Sequence, residues 1–261
     1  MPLLTNSNKI AQAYLNAIMR FLRDELTIKG GSFADPTEWS KVSALNQVIA
    51  KALKSTEYTK NLEAFKKTFP EIENKVIAQQ KKLNGVNVSK NLFKNASKSY
   101  GSQIALKLDP YGINFEQIVN QPVIDIVLNS IVGGGKVADL EAALIEKILE
   151  SKGKANIFEG KLEVTARDIS YGYQGAINTA IANEYDMNAY RYVGSLIEDS
   201  RKQCVRWVGK EILLFSDLQS EIEWAFNNGT GMNKSTTPDT FAIYRGGYNC
   251  RHEAIPTKVN S

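Results

Sequence analysis

Cysteine and histidine are scarce in this chain, with two of one and one of the other in 261 residues. A disulfide-stapled scaffold is excluded. Any catalytic triad built on histidine has only His252 to draw on. Proline is also sparse, with seven residues against eighteen glycines, which excludes collagen-like and low-complexity chains. Long apolar runs are missing. The most apolar stretch, Pro122 to Val132, carries Asp125 and Asn129, whereas a membrane span needs roughly 20 mainly apolar residues. The opening MPLLTNSNKIAQAY has neither a basic patch before an apolar block nor a small-residue cleavage site, so no secretion leader is expected. What is present is a globular balance, 43% hydrophobic and 23% charged, enough for one large domain or two modest ones. A soluble protein made in the cytoplasm, with no membrane role and with reduced thiols at synthesis, is the expectation.

Arginine is absent from one long stretch. Lys41 to Lys107 holds thirteen lysines and four acids, so it carries +9 of a net charge of +4. Such a stretch holds phosphates or an acidic partner by charge alone, or is simply the solvated side of helices.

The first half has helical periodicity. Ile10, Tyr14, Ile18 and Phe21 share one face, after an N-cap at Asn6 or Ser7, and Gly30-Gly31 is expected to end that helix. Asp35-Pro36-Thr37-Glu38 is a start signal with a capping box. Val42, Leu45, Ile49 and Ala52 form the next stripe, continued by Tyr58, Leu62 and Phe65. Pro70 opens a helix with Ile72, Val76 and Leu83 inward and Gly85 near its end. Ser89 caps a helix bearing Leu92, Phe93, Ala96 and Tyr100, and Asp109-Pro110-Tyr111-Gly112 is a turn. Phe115 to Val132 is apolar nearly all round and is expected at the buried centre. Gly133-Gly134-Gly135 breaks the chain, and Asp139 caps a helix that buries Leu140, Leu144, Ile145 and Ile148.

The style changes after Gly160. A long helix from about Lys161 to Asp186 precedes a strand, AYRYVGSLI. CVRWVGKEILLF reads as a hairpin around Gly209-Lys210, SDLQSEIEWAF as a helix capped by Ser216 or Asp217, and FAIYRGGYNCRHEAIPTKV as strand, glycine turn and strand. The expected fold class is α+β: a mainly α-helical body over 1–155, lysine-rich between 41 and 107, and a small module over 156–261 with a long helix and short antiparallel strands.

No enzyme signature emerges. Gly133-Gly134-Gly135-Lys136 lacks the spacing of a phosphate loop, since Ser130 stands where its first glycine belongs and Val137 where Ser or Thr belongs. A zinc deaminase needs H-x-E and C-x-x-C, and Cys250-Arg251-His252-Glu253 has the wrong order. Cys204, Cys250 and His252 nevertheless fall within the last 58 residues. With a carboxylate such as Asp199 they suit a tetrahedral zinc ion, zinc being the one cofactor considered. A Cys204–Cys250 contact or disulfide, inert buried thiols, and a hydrogen-bonded structural His252 stay open beside it. Asp199 and Arg201 are placed to pin a turn through a charge-assisted bond, and Arg167-Asp168 to make a structural ion pair.

The C-terminal string then takes on a pattern. Asp199-Ser200-Arg201, Cys204, Gly209-Lys210, a helix with Trp224, Gly246-Gly247-Tyr248-Asn249-Cys250-Arg251-His252 and Ile255-Pro256 resemble the tailed-phage minor head proteins, the Mu protein F-like or head morphogenesis group. Thr165-Ala166-Arg167-Asp168 resembles the group's A-R-T-E helix, with Asp168 where Thr is common and Ile169 where Glu follows. The resemblance spans roughly residues 155 to 258, with weaker similarity back to about 90. Many relatives carry a second cysteine near the first, or C-R-C for Cys250-Arg251-His252. This chain has single cysteines, which counts against four protein ligands.

The resemblance implies a structural, non-enzymatic virion component at the portal or in the head interior, made in the host cytoplasm. Its implied partners are the portal, other head proteins and double-stranded DNA bound without sequence preference. Arg167, Asp199, Arg201, Cys204, Gly209, Gly247, Asn249, Cys250, Arg251 and His252 are the motif positions, expected to be structural. Lys51, Lys54, Lys66, Lys67, Lys81, Lys82, Lys90, Lys94 and Lys98 are the expected basic surface. With no arginine among them, base-specific readout is not expected. The competing expectations are a DNA-binding protein without a capsid role, and an enzyme (toxin, transferase or protease) carrying the module.

Overall fold

The computed structural model describes residues 6–54, 57–149 and 155–259. The chain is a mainly helical α+β protein. Its helices are α1 Ser7–Glu25, α2 Leu45–Lys54, α3 Glu57–Lys66, α4 Thr68–Asn84, α5 Lys94–Lys107, α6 Ile113–Phe115, α7 Gln121–Val132, α8 Val137–Ile148, α9 Val164–Glu184, α10 Lys202–Lys210, α11 Leu218–Asn228 and α12 Phe241–Tyr244. Its strands are β1 Ile28–Lys29, β2 Ser32–Phe33, β3 Ala189–Val193, β4 Ile212–Leu214 and β5 Glu253–Thr257. Among the described residues, no helix is long and apolar enough to cross a membrane. The segment read for a leader includes residues 1–5, which lie outside the described residues.

The chain divides into two compact units, and neither is one run of sequence. Met1–Lys66 joins Ser102–Ala166, and Lys67–Gly101 joins Arg167–Ser261. The division expected at 155/156 is thus not the one the packing draws. Polar contacts give the reason. Gln80 and Asn84, on α4, donate to the Pro256 carbonyl at 3.3 and 2.9 Å, and the Thr257 hydroxyl donates to Asn84 at 3.0 Å. Tyr173, on α9, donates to Glu73 at 2.5 Å and meets Phe69 at a tilt and Tyr100 edge-on.

In the first unit, Ile10, Tyr14, Ile18 and Leu22 are buried at four-residue spacing along α1. That helix stops at Glu25. Gly30-Gly31 instead turns the two-residue strands β1 and β2 into a hairpin. Asp35 accepts the Thr37 N–H at 2.8 Å and opens a 3₁₀ run, Pro36–Ala44, that leads into α2. The capping box does not close, because Glu38 accepts from Thr27 and pairs with Lys41. From α6 to α7 the helix is continuous through a π turn that ends just before Pro122, the residue with no N–H to return to the preceding turn. Phe115, Val119, Val123, Val127 and Ile131 are buried on one face while Val132 is exposed, so this segment is one-sided and not buried all round. Lys136, not Asp139, is the N-cap of α8, and Ile145 lies exposed beside buried Leu140, Leu144 and Ile148. A polar chain crosses this core. Tyr14 donates to Asn120 at 3.1 Å, Asn120 to Asn46 at 2.9 Å, and Asn46 to Glu116.

In the second unit, β3 is the middle of an antiparallel sheet ordered β4-β3-β5, with Tyr190 opposite Leu213 and Tyr192 opposite Ala254. Ser89 caps the turn entering α5 and Gly85 closes α4, but Leu83 is exposed, and the inward row of α4 is Val76 and Gln80. Two expected strands are helices. Phe241–Tyr244 turns helically behind the Thr237–Thr240 capping box and buries Phe241 and Ala242. The expected hairpin around Gly209-Lys210 is α10, whose Gln203, Cys204 and Trp207 fall on one buried face. The reversal into β4 is made at Glu211, with φ 58°.

Gly209 is therefore an exposed residue inside a helix, with no atom within 4 Å of where a Cβ would stand. Gly209→Ala is expected to stabilise the protein by about 0.5–1 kcal/mol in urea denaturation, because helical glycine costs that much relative to alanine. A loss of stability would restore the hairpin.

Candidate functional site

The motif residues gather in the second unit, from four separated stretches of chain. The start of α9 brings Arg167 and Asp168. β3 brings Tyr192. The beginning of α10 brings Arg201, Gln203 and Cys204. The loop into β5 brings residues 245–252.

Arg167 and Asp168 clasp one residue. The Arg167 guanidinium donates to the Asn249 side-chain oxygen at 2.9 Å, and Asp168 accepts the Asn249 N–H at 2.8 Å. They hold Asn249 together and do not form the expected ion pair. Asn249 sits at φ 56°, a left-handed conformation that asparagine tolerates better than most residues. Burial raises the Asp168 carboxyl above its ordinary range, against the Asn249 N–H and the charges of Arg245 and Arg167. Arg201 donates to the carbonyls of Gly246 at 3.2 Å and Tyr248 at 2.5 Å. Asp199 lies exposed, and its turn is pinned by Ser200, which accepts the Ile197 N–H at 2.8 Å. Gly247 takes φ 97°, packed against the Gly231 carbonyl. Arg251 points to solvent.

At the centre are two sulfurs. Tyr192 Oη stands 3.8 Å from Cys204 Sγ and 3.6 Å from Cys250 Sγ, and His252 Nδ1 is 3.5 Å from Cys250 Sγ. The ligand atoms of Cys204, Cys250 and His252 all lie within 4.8 Å of one another. All three residues are buried, His252 to 6% exposure. The Tyr192 ring stacks on His252 and meets Trp207 edge-on. Gly246 must lack a side chain, since a Cβ there would overlap Cys204 Sγ and crowd Cys250 Sγ. The two thiols share their proton unequally. Hydrogen bonding from Cys204 and then from His252, with the charge of Arg245, holds Cys250 well below the usual thiol range against the opposing effect of burial. Hydrogen bonding to Cys250 and burial drive Cys204 up. Burial drives the Tyr192 hydroxyl far above its ordinary range.

Sequence reasoning missed several members. Gln203 is fully buried and donates to the carbonyls of Thr230 and Gly246 at 2.7 and 3.1 Å. Arg245, 4% exposed, donates to the carbonyls of Tyr171 and Ala242 at 2.5 and 3.2 Å. Glu221, also 4% exposed, accepts from Arg206 at 2.8 and 2.9 Å, Trp207 Nε1 at 3.1 Å and Lys210 at 2.6 Å.

The nine expected basic residues are all exposed, but they divide between the units. Lys51, Lys54 and Lys66 belong to the first, where Lys54 lies over the Tyr111 ring and Lys66 pairs with Glu63. Lys67, Lys81, Lys82, Lys90, Lys94 and Lys98 belong to the second. No protein-family model, curated protein or solved structure matches this chain.

Proposed function

We propose that the chain is a structural minor head protein of a tailed bacteriophage, acting at the portal or on packaged DNA during head assembly or genome delivery. One observation supports this most. Arg167, Arg201, Cys204, Asn249, Cys250 and His252, scattered over 86 residues of sequence, all lie in the second unit, where Arg167 and Arg201 hold the 246–249 loop and Cys204, Cys250 and His252 form a buried cluster. A motif that is the packing signature of a module does this. A motif that serves catalysis opens onto a cleft, whereas Cys204 and Cys250 are each 3% exposed. In this proposal the chain works by docking and charge, without catalysis, and its partners are the portal, other head proteins and the phosphates of double-stranded DNA. It resides in the head interior or beside the portal, after synthesis in the host cytoplasm, and has no membrane role.

Quantitative mass spectrometry of purified particles and of their empty precursors tests the proposal. A few copies per portal in both are expected of a retained head protein. Presence in precursors alone makes it an assembly factor, and absence from both sinks the proposal. The charge component has its own test. Replacing Lys81, Lys82, Lys90 and Lys94 together by Glu is expected to weaken DNA binding. It is also expected to flatten the dependence of log K on log salt by about 3 to 4, at about 0.9 per lost phosphate contact. Binding with an unchanged slope would remove these lysines from the DNA-contacting surface.

A further inference from the structure

We infer that Cys204, Cys250 and His252 form a metal site for a soft or borderline divalent cation, of which Zn²⁺ is the one that fits. The inference rests on side-chain geometry and not on the head-protein proposal.

The donor set comes first. Two thiolates and an imidazole are what zinc prefers among protein ligands, and two thiolate charges cancel the ion's own, so the loaded site is neutral where it is buried. The spacing comes next. Zinc bonds of about 2.3 Å to sulfur and 2.0 Å to nitrogen give tetrahedral edges of about 3.5–3.8 Å. Cys250 Sγ and His252 Nδ1 are 3.5 Å apart, and all three ligand atoms lie within 4.8 Å of one another.

With Nδ1 on an ion, the imidazole proton is carried by Nε2, a buried atom with no hydrogen-bond partner among the described residues. His252 and Asn178 line the same narrow gap, and the Asn178 side-chain oxygen is likewise a buried polar atom without a partner. The Tyr192 hydroxyl faces both sulfurs and is placed to donate to thiolates. The ligands come from α10 and from the loop entering β5, so one ion ties the helix to the sheet edge.

The test is metal analysis of the full chain, purified under reductant and without chelator, followed by exchange with Co²⁺. About one equivalent of Zn²⁺ is expected, together with thiolate charge-transfer and tetrahedral ligand-field absorption from Co²⁺. Chelation should lower Tm and added Zn²⁺ restore it. Cys250→Ser and His252→Ala should lose the Co²⁺ spectrum. Tyr192→Phe keeps the three ligands and should retain the spectrum at about 10-fold weaker affinity. Because the unaltered chain decides the question, a variant that fails to fold does not shield the inference. Uptake below about a tenth of an equivalent from excess Zn²⁺ overturns it. So does a Cys204–Cys250 disulfide found in protein kept reduced throughout.

Discussion

Glu221→Ala is expected to destabilise the protein by about 3 kcal/mol in guanidinium denaturation, the lower end of the range for removing one partner of a buried ion pair. The carboxylate holds four hydrogen bonds from Arg206, Trp207 and Lys210. Arg206 and Lys210 keep 36% and 42% of their side chains in water, so their charges are partly rehydrated when the carboxylate goes. The Trp207 N–H is not, because Trp207 is fully buried. Loss of less than about 1 kcal/mol would demote the node to an ordinary surface pair.

The same residue gives a pH signature. Hydrogen bonding from Arg206, with that of Lys210, lowers the Glu221 carboxyl from its ordinary 4.5 to about 2 against the opposing effect of burial. A depressed folded-state value means stability that is present above the unfolded value and lost as pH falls through the folded one. About 3 kcal/mol should disappear between pH 4.5 and pH 2. Glu221→Gln cannot titrate there, so its stability deficit should be widest near neutrality and close as the solution is acidified. A deficit constant across that window would contradict the assignment.

Gly246→Ala is the second large effect, expected at about 3 kcal/mol, the upper end for overpacking. The new methyl would overlap Cys204 Sγ, and the backbone has little room to withdraw because the Gly246 carbonyl is held by Arg201 and Gln203. Both thiols should also react faster with a disulfide reagent in the native protein. Stability and thiol reactivity like those of the unaltered chain would mean that the glycine does not set the sulfur packing. Two glycines 37 positions apart thus take the same substitution with opposite expected signs.

The helices of the first unit were legible because their apolar residues recur at the helical period and their starts carry Asp-Pro or Ser signals. The same holds for Ser89, Gly85 and the strand at Ala189–Val193. α10 was not legible. Its β-branched and aromatic residues read locally as strand, and only the packing of Gln203, Cys204 and Trp207 makes it helical. That error hid Glu221's partners, since Arg206, Trp207 and Lys210 share a side only on a helix. The cysteines and histidine were found by chemical type, whereas Tyr192 and Gly246 were not weighed as site residues because their role is contact, which no local pattern announces. The two-unit division was illegible for the same reason. The contacts binding α4 to β5 lie more than 170 positions apart.

That interleaving has a consequence for the growing chain. Every segment of the first unit has been synthesised once Ala166 is made. The second cannot finish its sheet until Thr257 has emerged, because β5 supplies one edge of it. Residues 67–101, translated early, therefore wait for partners while the first unit is already able to fold around its own core. Translation order, and not only final stability, then decides which half of this protein is vulnerable to chaperones and proteases, and for how long.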